Sequence, residues 1–466
     1  MNVPFLLRRL RELNVIDDAG AQALERDGIV TLADLDLAIA EQRPAVSARS
    51  FAHAAEALGL ERRPMTLGRA WDVASALIQP LGDKGPIDNV QPAGHMRRSE
   101  PLVPAIVIVG RASDPARAIQ AIADLPFTFD IVHRTARRIV VHFEGHEVDF
   151  RVCPPDEYGT LLFVATGPAA HVAEIQKLRG RRLAASEADI YGHAGLAWLP
   201  PEVRDAPEAM DRARAGSLPD LIERGDIRGD LHMHTTYSDG RDSVRQMVQA
   251  SRAAGYEYIA ITDHSEHAGA SRTLDLDDLI RQSDEVERLR QQFPDMTILH
   301  GIEVDIMPDG SLDCADAVLA RLDIVLASLH DGAGHDRRKL TNRCLAAIRH
   351  PLVSVITHPA NQLVGRREGY DMDYDAIYAA AAETGTALEV DGAPSHLDLS
   401  GERAREAVAA GVTLVIDSDC HRSPALDRQM RMGVGTARRG WVEPRHVLNT
   451  RPIADVRAFL ARKRTT

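Results

Sequence analysis

Apolar residues recur every three to four positions through much of residues 1–80, as in "VPFLLRRLRELNVI" and "SFAHAAEALGL". This spacing is typical of amphipathic helices, so the chain is expected to begin with a helical region. The stretch "LGDKGPIDNVQPAGH" (81–95) is rich in glycine and proline and predicts a break. Short β-branched runs then follow between 104 and 168 ("PAIVIVG", "RRIVVHF", "HEVDFRV"), and they predict a small mixed α/β region.

After a polar, proline-punctuated connector (199–226), strands and helices alternate regularly. Most of the predicted strands are separated by helix-like stretches such as "SVRQMVQASRAAG" and "DYDAIYAAAAETG". Seven strand–helix units of this length favour a closed, largely parallel barrel over an open sheet. The predicted strands are 230–234, 258–263, 297–305, 324–330, 354–358, 387–391 and 413–419.

The main domain boundary is expected near residue 226. A chain of 466 residues is too long for one compact domain, and roughly two to four domains are expected. The expected organisation is a helical region (1–85), a mixed α/β domain (86–200), a linker (201–226), a barrel (227–450) and a C-terminal helix or tail (451–466).

Charge and cysteine usage narrow the possible classes of protein. The formal net charge is −13, and neither half of the chain is basic, which argues against a broad nucleic-acid-binding surface. A locally basic groove stays open as an alternative, because bound divalent cations add positive charge. Four scattered cysteines without CxxC spacing indicate reduced thiols in a cytoplasmic protein. Neither a transmembrane run nor a signal-peptide layout is present in the sequence.

Potential metal ligands fall at or just beyond the C-terminal ends of six predicted strands, where a βα barrel collects its catalytic groups. In His-x-His on a strand, both imidazoles lie on the same face and can share one ion. Imidazoles and carboxylates without thiolates suit Zn²⁺, Mn²⁺ or Fe²⁺, and the number of ligands implies two or three ions. The candidate ligands are His232, His234, Asp239, His264, Glu303, His330, His358, Asp419 and His421.

A single histidine on a strand is more often a core or surface residue than a ligand, but so many in phase on six strands predict a metal centre. Glu303, the one glutamate of the set, is the best candidate for a bridging ligand. His267 and His396 are candidates for contacts with the ligands or the substrate. The remaining histidines of this half are not expected to bind metal: His300, His335, His350 and His446.

A cluster of divalent cations lowers the pKa of water and neutralises charge that develops on a phosphoryl group. The natural reaction of such a centre is hydrolysis of a phosphoester. The chain is therefore expected to be a metal-dependent phosphoric ester hydrolase.

The motifs "DLHMHTTYSDG", "AITDHSE", "GIEVDI", "ASLH", "ITHP" and "DSDCH" resemble those of the PHP (polymerase and histidinol phosphatase) domain. The resemblance implies a distorted (β/α)7 TIM-like barrel with three divalent ions. It implies that His232, His234, Glu303 and Asp419 hold the first ion, that Glu303, His330 and His358 hold the second, and that Asp239, His264 and His421 hold the third. It points to Glu303, Asp239 and His264 as catalytic residues.

A resemblance to bacterial family X DNA polymerases extends over most of the chain. "DIRGDLHMHTTYSDG" and "MGVGTARRGWVEPRHVLNT" are similar to that family's barrel. "AGHMRR" (93–98) and "VDFRVCPPDEYGTLLFVATG" (148–167) resemble its palm, and "SEADIYG" (186–192) resembles its thumb. The resemblance implies that a nucleotidyltransferase-like palm and thumb occupy residues 86–200, after a fingers-like region.

The departures from this family fall at residues on which polymerisation depends. Its palm carries Gly-Asp-x-Asp, whereas "RRSEPLVPAIVIVG" has Ala105 and Val107 in place of the aspartates. Asp149 alone remains, and one carboxylate cannot hold the two metal ions of nucleotidyl transfer. The polymerase half is therefore expected to be inactive, with Asp149 a structural or solvated residue. The fingers-like region is also degenerate, with Gly20 the single glycine of its first hairpin.

In the barrel, the resemblance leads to the expectation of an arginine at Gln362, an asparagine at Asp391 and an arginine at His396. These changes are expected to leave the metal ligands intact and to weaken binding of a phosphate backbone.

Three functions remain open. The first is a 3′→5′ exonuclease or DNA 3′-end-processing hydrolase with Mn, Zn or Fe. The alternative is a phosphatase for a small phosphorylated metabolite or nucleotide. The third concerns the polymerase-like half, which would serve as a scaffold or nucleotide-sensing module that regulates the barrel, would bind a DNA repair partner, or would only cover apolar surface of the barrel. The native metal, the exonuclease polarity and the oligomeric state are left open by the sequence, and no membrane partner is expected.

Overall fold

A computed structural model describes residues 3–46, 49–61, 64–82, 85–127, 130–180 and 182–465. The chain divides into two compact units, Met1–Leu218 and Pro219–Thr466. The first unit therefore holds both the predicted helical region and the predicted mixed α/β domain.

The first unit begins with helices whose apolar faces form a leucine-rich core. In α1, Leu6, Leu7 and Leu10 are buried, as their three-to-four spacing predicts. Thr31 caps α3 in a capping box with Asp34. The α-helices of this unit are α1 (Phe5–Glu12), α2 (Asp18–Arg26), α3 (Leu32–Ala40), α4 (Arg49–Glu61), α5 (Leu67–Ile78), α6 (Gly94–Arg97), α7 (Pro115–Ala123), α8 (Tyr158–Thr166), α9 (Ala169–Arg179), α10 (Glu187–His193) and α11 (Ala209–Ala215).

A five-stranded mixed sheet of order β2-β4-β7-β6-β5 also belongs to this unit. The three predicted strands correspond to β4, β6 and β7. The predicted break at 81–95 contains a further strand, β2, which pairs with β4 with an irregular register. Its sequence, "DNVQP", is too polar to be predicted as a strand. The five strands of this sheet are β2 (Asp88–Pro92), β4 (Ile106–Arg111), β5 (Asp130–Arg134), β6 (Arg138–Phe143) and β7 (His146–Cys153), whereas β1 (Met65–Thr66) and β3 (Leu102–Val103) pair with each other in a separate two-stranded sheet.

The second unit is the predicted barrel, built from a seven-stranded parallel sheet within residues 219–465. A parallel bridge from Met233 to Cys420 joins its first and last strands, and the Leu231 amide donates to Asp417 Oδ1 at 2.7 Å. Its strands are β8 (Gly229–Asp230), β9 (Tyr258–Ile261), β10 (Thr297–Asp305), β11 (Ile324–Ser328), β12 (Val355–Ile356), β13 (Ala387–Asp391) and β14 (Leu414–Asp417).

Helices surround this barrel and close its lower end. In α19, Val456, Phe459 and Leu460 pack against residues inside the barrel, including Tyr258 and Ile324. The C-terminal helix is thus part of the barrel's core. The helices are α12 (Val244–Ala253), α13 (Leu276–Gln292), α14 (Asp316–Leu319), α15 (Arg337–Arg349), α16 (Tyr374–Thr384), α17 (Gly401–Ala409), α18 (Leu426–Arg439) and α19 (Ile453–Arg462).

The barrel unit begins before the predicted boundary near residue 226. Ile222 is buried in the barrel's core, its amide donates to the Val442 carbonyl at 2.9 Å, and Arg224 pairs with Asp427. These contacts attach the second part of the predicted linker (201–226) to the barrel. The first part of that linker contains α11 and belongs to the first unit.

Among the described residues, every helix is too short or too polar to span a lipid bilayer.

Candidate metal centre

The predicted ligands lie where strands leave the sheet at one end of the barrel. Several predicted strands are shorter than expected. β8 ends at Asp230, before His232 and His234, and single parallel bridges, Met233–Cys420 and His264–Glu303, continue the sheet at the ligand residues. Asp419 and His358 have left-handed backbones, with φ of 47° and 26°. Such conformations cost roughly 1–3 kcal/mol for a residue with a side chain, and they cluster at functional sites.

A first cluster forms between the first and last strands. The Nε2 atoms of His232 and His234 are 3.1 Å apart, and Asp419 Oδ1 lies 3.6 Å and 3.0 Å from them respectively. Glu303 Oε2 lies 3.5 Å from both nitrogens. Ligand atoms of His232, His234 and Asp419 all lie within 4.8 Å of one another, and Glu303 Oε2 lies beside the two imidazoles.

A second cluster lies on the other side of Glu303. Glu303 Oε1 is 3.0 Å from His358 Nε2 and 3.5 Å from His330 Nε2. Glu303 Oε2 is 2.8 Å from His264 Nδ1. The two oxygens of this fully buried carboxylate thus point to different groups of imidazoles. This is the arrangement that a bridging ligand requires.

The third cluster contains Asp239, His264 and His421. Asp239 Oδ1 lies 3.5 Å from His264 Nε2 and 3.2 Å from His421 Nε2. The loop that carries Asp239 approaches the barrel closely at Gly240, where a Cβ atom would lie 2.5 Å from the carbonyl of His234. The structure thus brings all nine predicted residues to one end of the barrel.

Glu389, which was not among the predicted residues, holds two of these histidines in place. His232 Nδ1 lies 2.7 Å from one of its oxygens, and the His358 amide donates to the other at 2.6 Å. A carboxylate that binds the outer nitrogen of a histidine fixes the tautomer in which the inner nitrogen can bind metal. The available sequence signal was a glutamate in the strand 387–391.

Other polar groups hold the remaining ligands in a similar way. Asp305 accepts a hydrogen bond from His330 Nδ1, and the hydroxyls of Ser328 and Thr357 donate to Glu303 Oε1. These groups leave the inner faces of the ligands free for an ion.

The carboxylates and imidazoles of the clusters shift one another's pKa values in both directions. Despite burial, neighbouring carboxylates raise the pKa of His232, His264, His358 and His421, whereas the pKa values of Glu303 and His234 are lowered. Burial alone would favour neutral Glu303, but His232 and His264 hold the pKa of this carboxyl well below its ordinary value. Burial, together with His264 and His421, lowers the pKa of His234 to about 4. At neutral pH the glutamate is therefore ionised and His234 is neutral, as metal binding requires.

Two buried oxygens test whether these residues fit divalent ions. Within the described part of the chain, Glu303 Oε2 and Asp239 Oδ1 have no hydrogen-bond partner. A buried carboxylate oxygen without a partner is costly unless a cation satisfies it. The donor set of imidazoles and carboxylates is also typical of Zn²⁺, Mn²⁺ or Fe²⁺, so the residues fit.

The two histidines predicted to contact ligands or substrate lie in different surroundings. His267 is exposed and pairs with Asp313. His396 instead stacks on His358, with ring centroids 5.1 Å apart and planes 21° apart. His396 thus belongs to the rim of the metal centre, whereas His267 belongs to the surface.

In the first unit, Asp149 is engaged in an ion-pair network. Val107 is the register partner of Asp149 on the neighbouring parallel strand, so a methyl-bearing side chain stands beside the carboxylate. Arg138 and Arg151 each donate two hydrogen bonds to Asp149, at 2.7–2.9 Å, and both also bind Asp34. Asp149 is buried and already neutralised by protein groups.

Comparisons with known proteins agree with this architecture. The PHP domain model matches residues 230–387. The chain is 36% identical over 423 residues to the DNA polymerase/3′-5′ exonuclease PolX of Bacillus subtilis, which covers 86% of this chain and 73% of that relative. It is 27% identical over 247 residues to a probable phosphatase of Thermoanaerobacter, covering 50% of this chain and 95% of the relative.

Among solved structures, histidinol phosphate phosphatase from Lactococcus lactis, complexed with zinc, L-histidinol and phosphate, aligns with a TM-score of 0.37 and 18% identity, over 46% of this chain and 94% of that one. The family assignment rests on the sequence relatives and not on this structural alignment. Identity at more than a third of the aligned positions, across most of both chains, shows that the protein belongs to the PolX family, with a metal-dependent phosphoesterase PHP barrel as its C-terminal unit.

Proposed function

We propose that this protein is a 3′→5′ exonuclease or DNA 3′-end-processing hydrolase that uses three divalent ions, Mn²⁺ or Zn²⁺ or else Fe²⁺, and that it has lost polymerase activity. The observation that carries the hydrolase proposal is Glu303, whose two oxygens point to different imidazole clusters from a fully buried position. A carboxylate in this position is suited to joining ions into one centre.

The proposed division of residues among the ions follows the family resemblance of the sequence. His232, His234, Glu303 and Asp419 are proposed to hold the first ion. Glu303, His330 and His358 are proposed for the second, and Asp239, His264 and His421 for the third. When bound, the ions supply positive charge to the phosphoryl group and acidify water at the site.

His264 is proposed to connect Glu303 with the third group. Its Nδ1 lies 2.8 Å from Glu303 and its Nε2 lies 3.5 Å from Asp239 Oδ1. Glu303, Asp239 and His264 together are therefore proposed as the residues that position the reacting groups. Asp239 lies in a loop at the barrel mouth, on the side from which a substrate would enter.

DNA 3′ ends are proposed as the substrate because the PolX relative, similar over most of the chain, is named a 3′-5′ exonuclease. A small phosphoester is the second candidate. It is favoured by the probable phosphatase relative and by the chain's net charge of −13.

One substrate panel separates the two candidates. Purified protein in Mn²⁺ is incubated with 3′-recessed, blunt and single-stranded oligonucleotides, and in parallel with small phosphomonoesters. Release of nucleotides from 3′ ends, abolished in Asp239→Asn and retained in the surface control His267→Ala, is expected. Strong preference for the small esters would overturn the nuclease assignment and leave the phosphatase.

The proposed loss of polymerase activity is supported by the surroundings of Asp149. Its neighbour in the sheet is Val107 rather than a second carboxylate, and its own charge is engaged by two arginines. Holding Mg²⁺ for nucleotidyl transfer takes at least two carboxylates there. No primer extension is expected with a gapped DNA, the four dNTPs and Mg²⁺ or Mn²⁺, and template-dependent extension would contradict the proposal.

A further inference from the structure

A fourth group of potential ligands lies beside the three clusters. Single ligand atoms of Asp391, His396 and Asp419 come within 4.8 Å of one another. Asp391 is fully buried, and its Oδ1 accepts a hydrogen bond from the Ala393 amide at 2.6 Å. Its Oδ2 has no hydrogen-bond partner in the described part of the chain. This oxygen is therefore available to a cation.

His396 is held as a metal-binding histidine is usually held. Its Nδ1 lies 3.0 Å from the Gln362 carbonyl, which only accepts hydrogen bonds, so the proton of the neutral ring stays on Nδ1. Nε2 then carries a lone pair. A backbone carbonyl on the outer nitrogen is a common way to fix a ligand histidine.

The side chain of Gln362 holds the same loop from the other side. Its Nε2 donates to the carbonyls of His396 and Leu397, at 2.9 Å and 2.7 Å. The imidazole of His396 also stacks on His358, which belongs to the second cluster. The position of His396 beside the metal centre is thus fixed by contacts on three sides.

We propose that Asp391, His396 and Asp419 bind an additional divalent cation at the barrel mouth, beyond the three ions of the proposed hydrolase. Asp419 would be shared with the first cluster, so that its carboxylate would be a ligand of both ions. Two carboxylates and one imidazole suit Mn²⁺, Zn²⁺ or Fe²⁺. The ion would also satisfy Asp391, whose buried carboxyl lies close to the negatively charged Asp419.

The additional ion would supply positive charge on the substrate side of the centre. A cation held by His396 and Asp391 would offer a charged contact to a phosphate at the same place. Gln362 would serve this site by orienting His396.

The number of bound ions tests the proposal directly. The full-length wild type, His396→Ala, His396→Gln and Asp391→Asn are equilibrated with MnCl₂, separated from free metal by gel filtration, and assayed for manganese per chain by mass spectrometry. Each variant is expected to bind one ion fewer than the wild type. The control His267→Ala, at an exposed histidine outside the clusters, is expected to bind the wild-type number.

Thermal melting of each variant shows whether it is folded, and His396→Gln keeps a polar side chain if His396→Ala is unstable. Equal manganese content in the wild type and all folded variants would overturn the proposal. So would a loss of two or more ions in every variant, because the site would then not be separable from the three clusters. Metal content is independent of the substrate panel, so failure of the nuclease assignment and failure of this site are distinguishable.

Discussion

Replacing Asp149 by asparagine is expected to destabilise the protein without touching the barrel's metal centre. Arg138 and Arg151 donate four hydrogen bonds to the Asp149 carboxylate, and their side chains are 12% and 14% exposed. Asparagine keeps the volume but removes the negative charge. Two largely buried guanidinium groups would then share Asp34 as their remaining carboxylate.

The expected loss of unfolding free energy depends on the carboxylate that still pairs with Arg138 and Arg151. Breaking a buried ion pair by removing one partner costs about 3–5 kcal/mol, because an uncompensated charge stays in the interior. Asp34 still binds both arginines, so about 3 kcal/mol is expected. For a unit of this size, ~2–4 °C per kcal/mol corresponds to a decrease in Tm of roughly 6–12 °C.

The loss of unfolding free energy caused by Asp149→Asn should become smaller as the pH falls. Burial opposes ionisation of Asp149, but Arg138 and Arg151 hold its pKa well below the ordinary value. A lowered carboxyl pKa stabilises the folded state above about pH 4, the unfolded value, and this contribution is lost as the pH falls further. The difference in unfolding free energy between wild type and Asp149→Asn should therefore be constant from pH 8 to pH 5 and shrink towards pH 3.

Thermal unfolding followed by circular dichroism measures this, with the exposed Asp156→Asn as a matched control in the same unit. A change below about 0.5 kcal/mol, the range of ordinary surface substitutions, would refute the reasoning from the ion-pair network. Loss of a measurable primer-extension activity in Asp149→Asn without loss of stability would show that Asp149 binds a catalytic ion instead.

Three other substitutions test the barrel. Glu303→Gln should reduce metal content and lower hydrolysis by about 10³-fold or more, measured as initial rate and bound metal, because the amide cannot join charged clusters; wild-type rate and metal content would contradict this. Glu389→Gln should weaken metal affinity or activity by about 10–100-fold through His232, and a metal titration that matches the wild type would count against that role. Lys463→Ala should cost about 2–3 kcal/mol in guanidinium unfolding, because the Lys463 ammonium donates to three buried oxygens near the barrel's lower end. An unchanged unfolding midpoint would show that those oxygens find other partners.

The sequence by itself determined the barrel and the set of residues at its mouth. Apolar runs separated by helical periodicity predict parallel strands, and parallel strands place their carboxyl ends together. His232 and His234 share a face because side chains alternate along an extended chain. The proposed loss of two palm carboxylates also rests on the sequence, because the side chains of Ala105 and Val107 carry no metal-binding group. These inferences need only local geometry and the chemistry of the side chains.

The tertiary structure alone decided which atoms meet. That Glu303 directs one oxygen to His358 and the other to His264 depends on side-chain orientation, which no spacing along the chain reveals. The support from Glu389 and the convergence of Asp391 with His396 also join residues from different loops and strands. The boundary after Leu218 was set by buried contacts of Ile222, in a segment whose proline and charge content resemble a linker.

The surroundings of Asp149 illustrate why its residue type can be read from the sequence but its role depends on the tertiary structure. Its sequence position identifies it as a remaining carboxylate, but its role depends on the field of Arg138 and Arg151, which arrive from β6 and from its own strand. Hydrophobic periodicity and residue chemistry depend on a few neighbouring residues, so they can be predicted from the sequence. Electrostatic and packing interactions act through space, so only the folded chain determines whether a carboxylate faces a metal ion or an arginine.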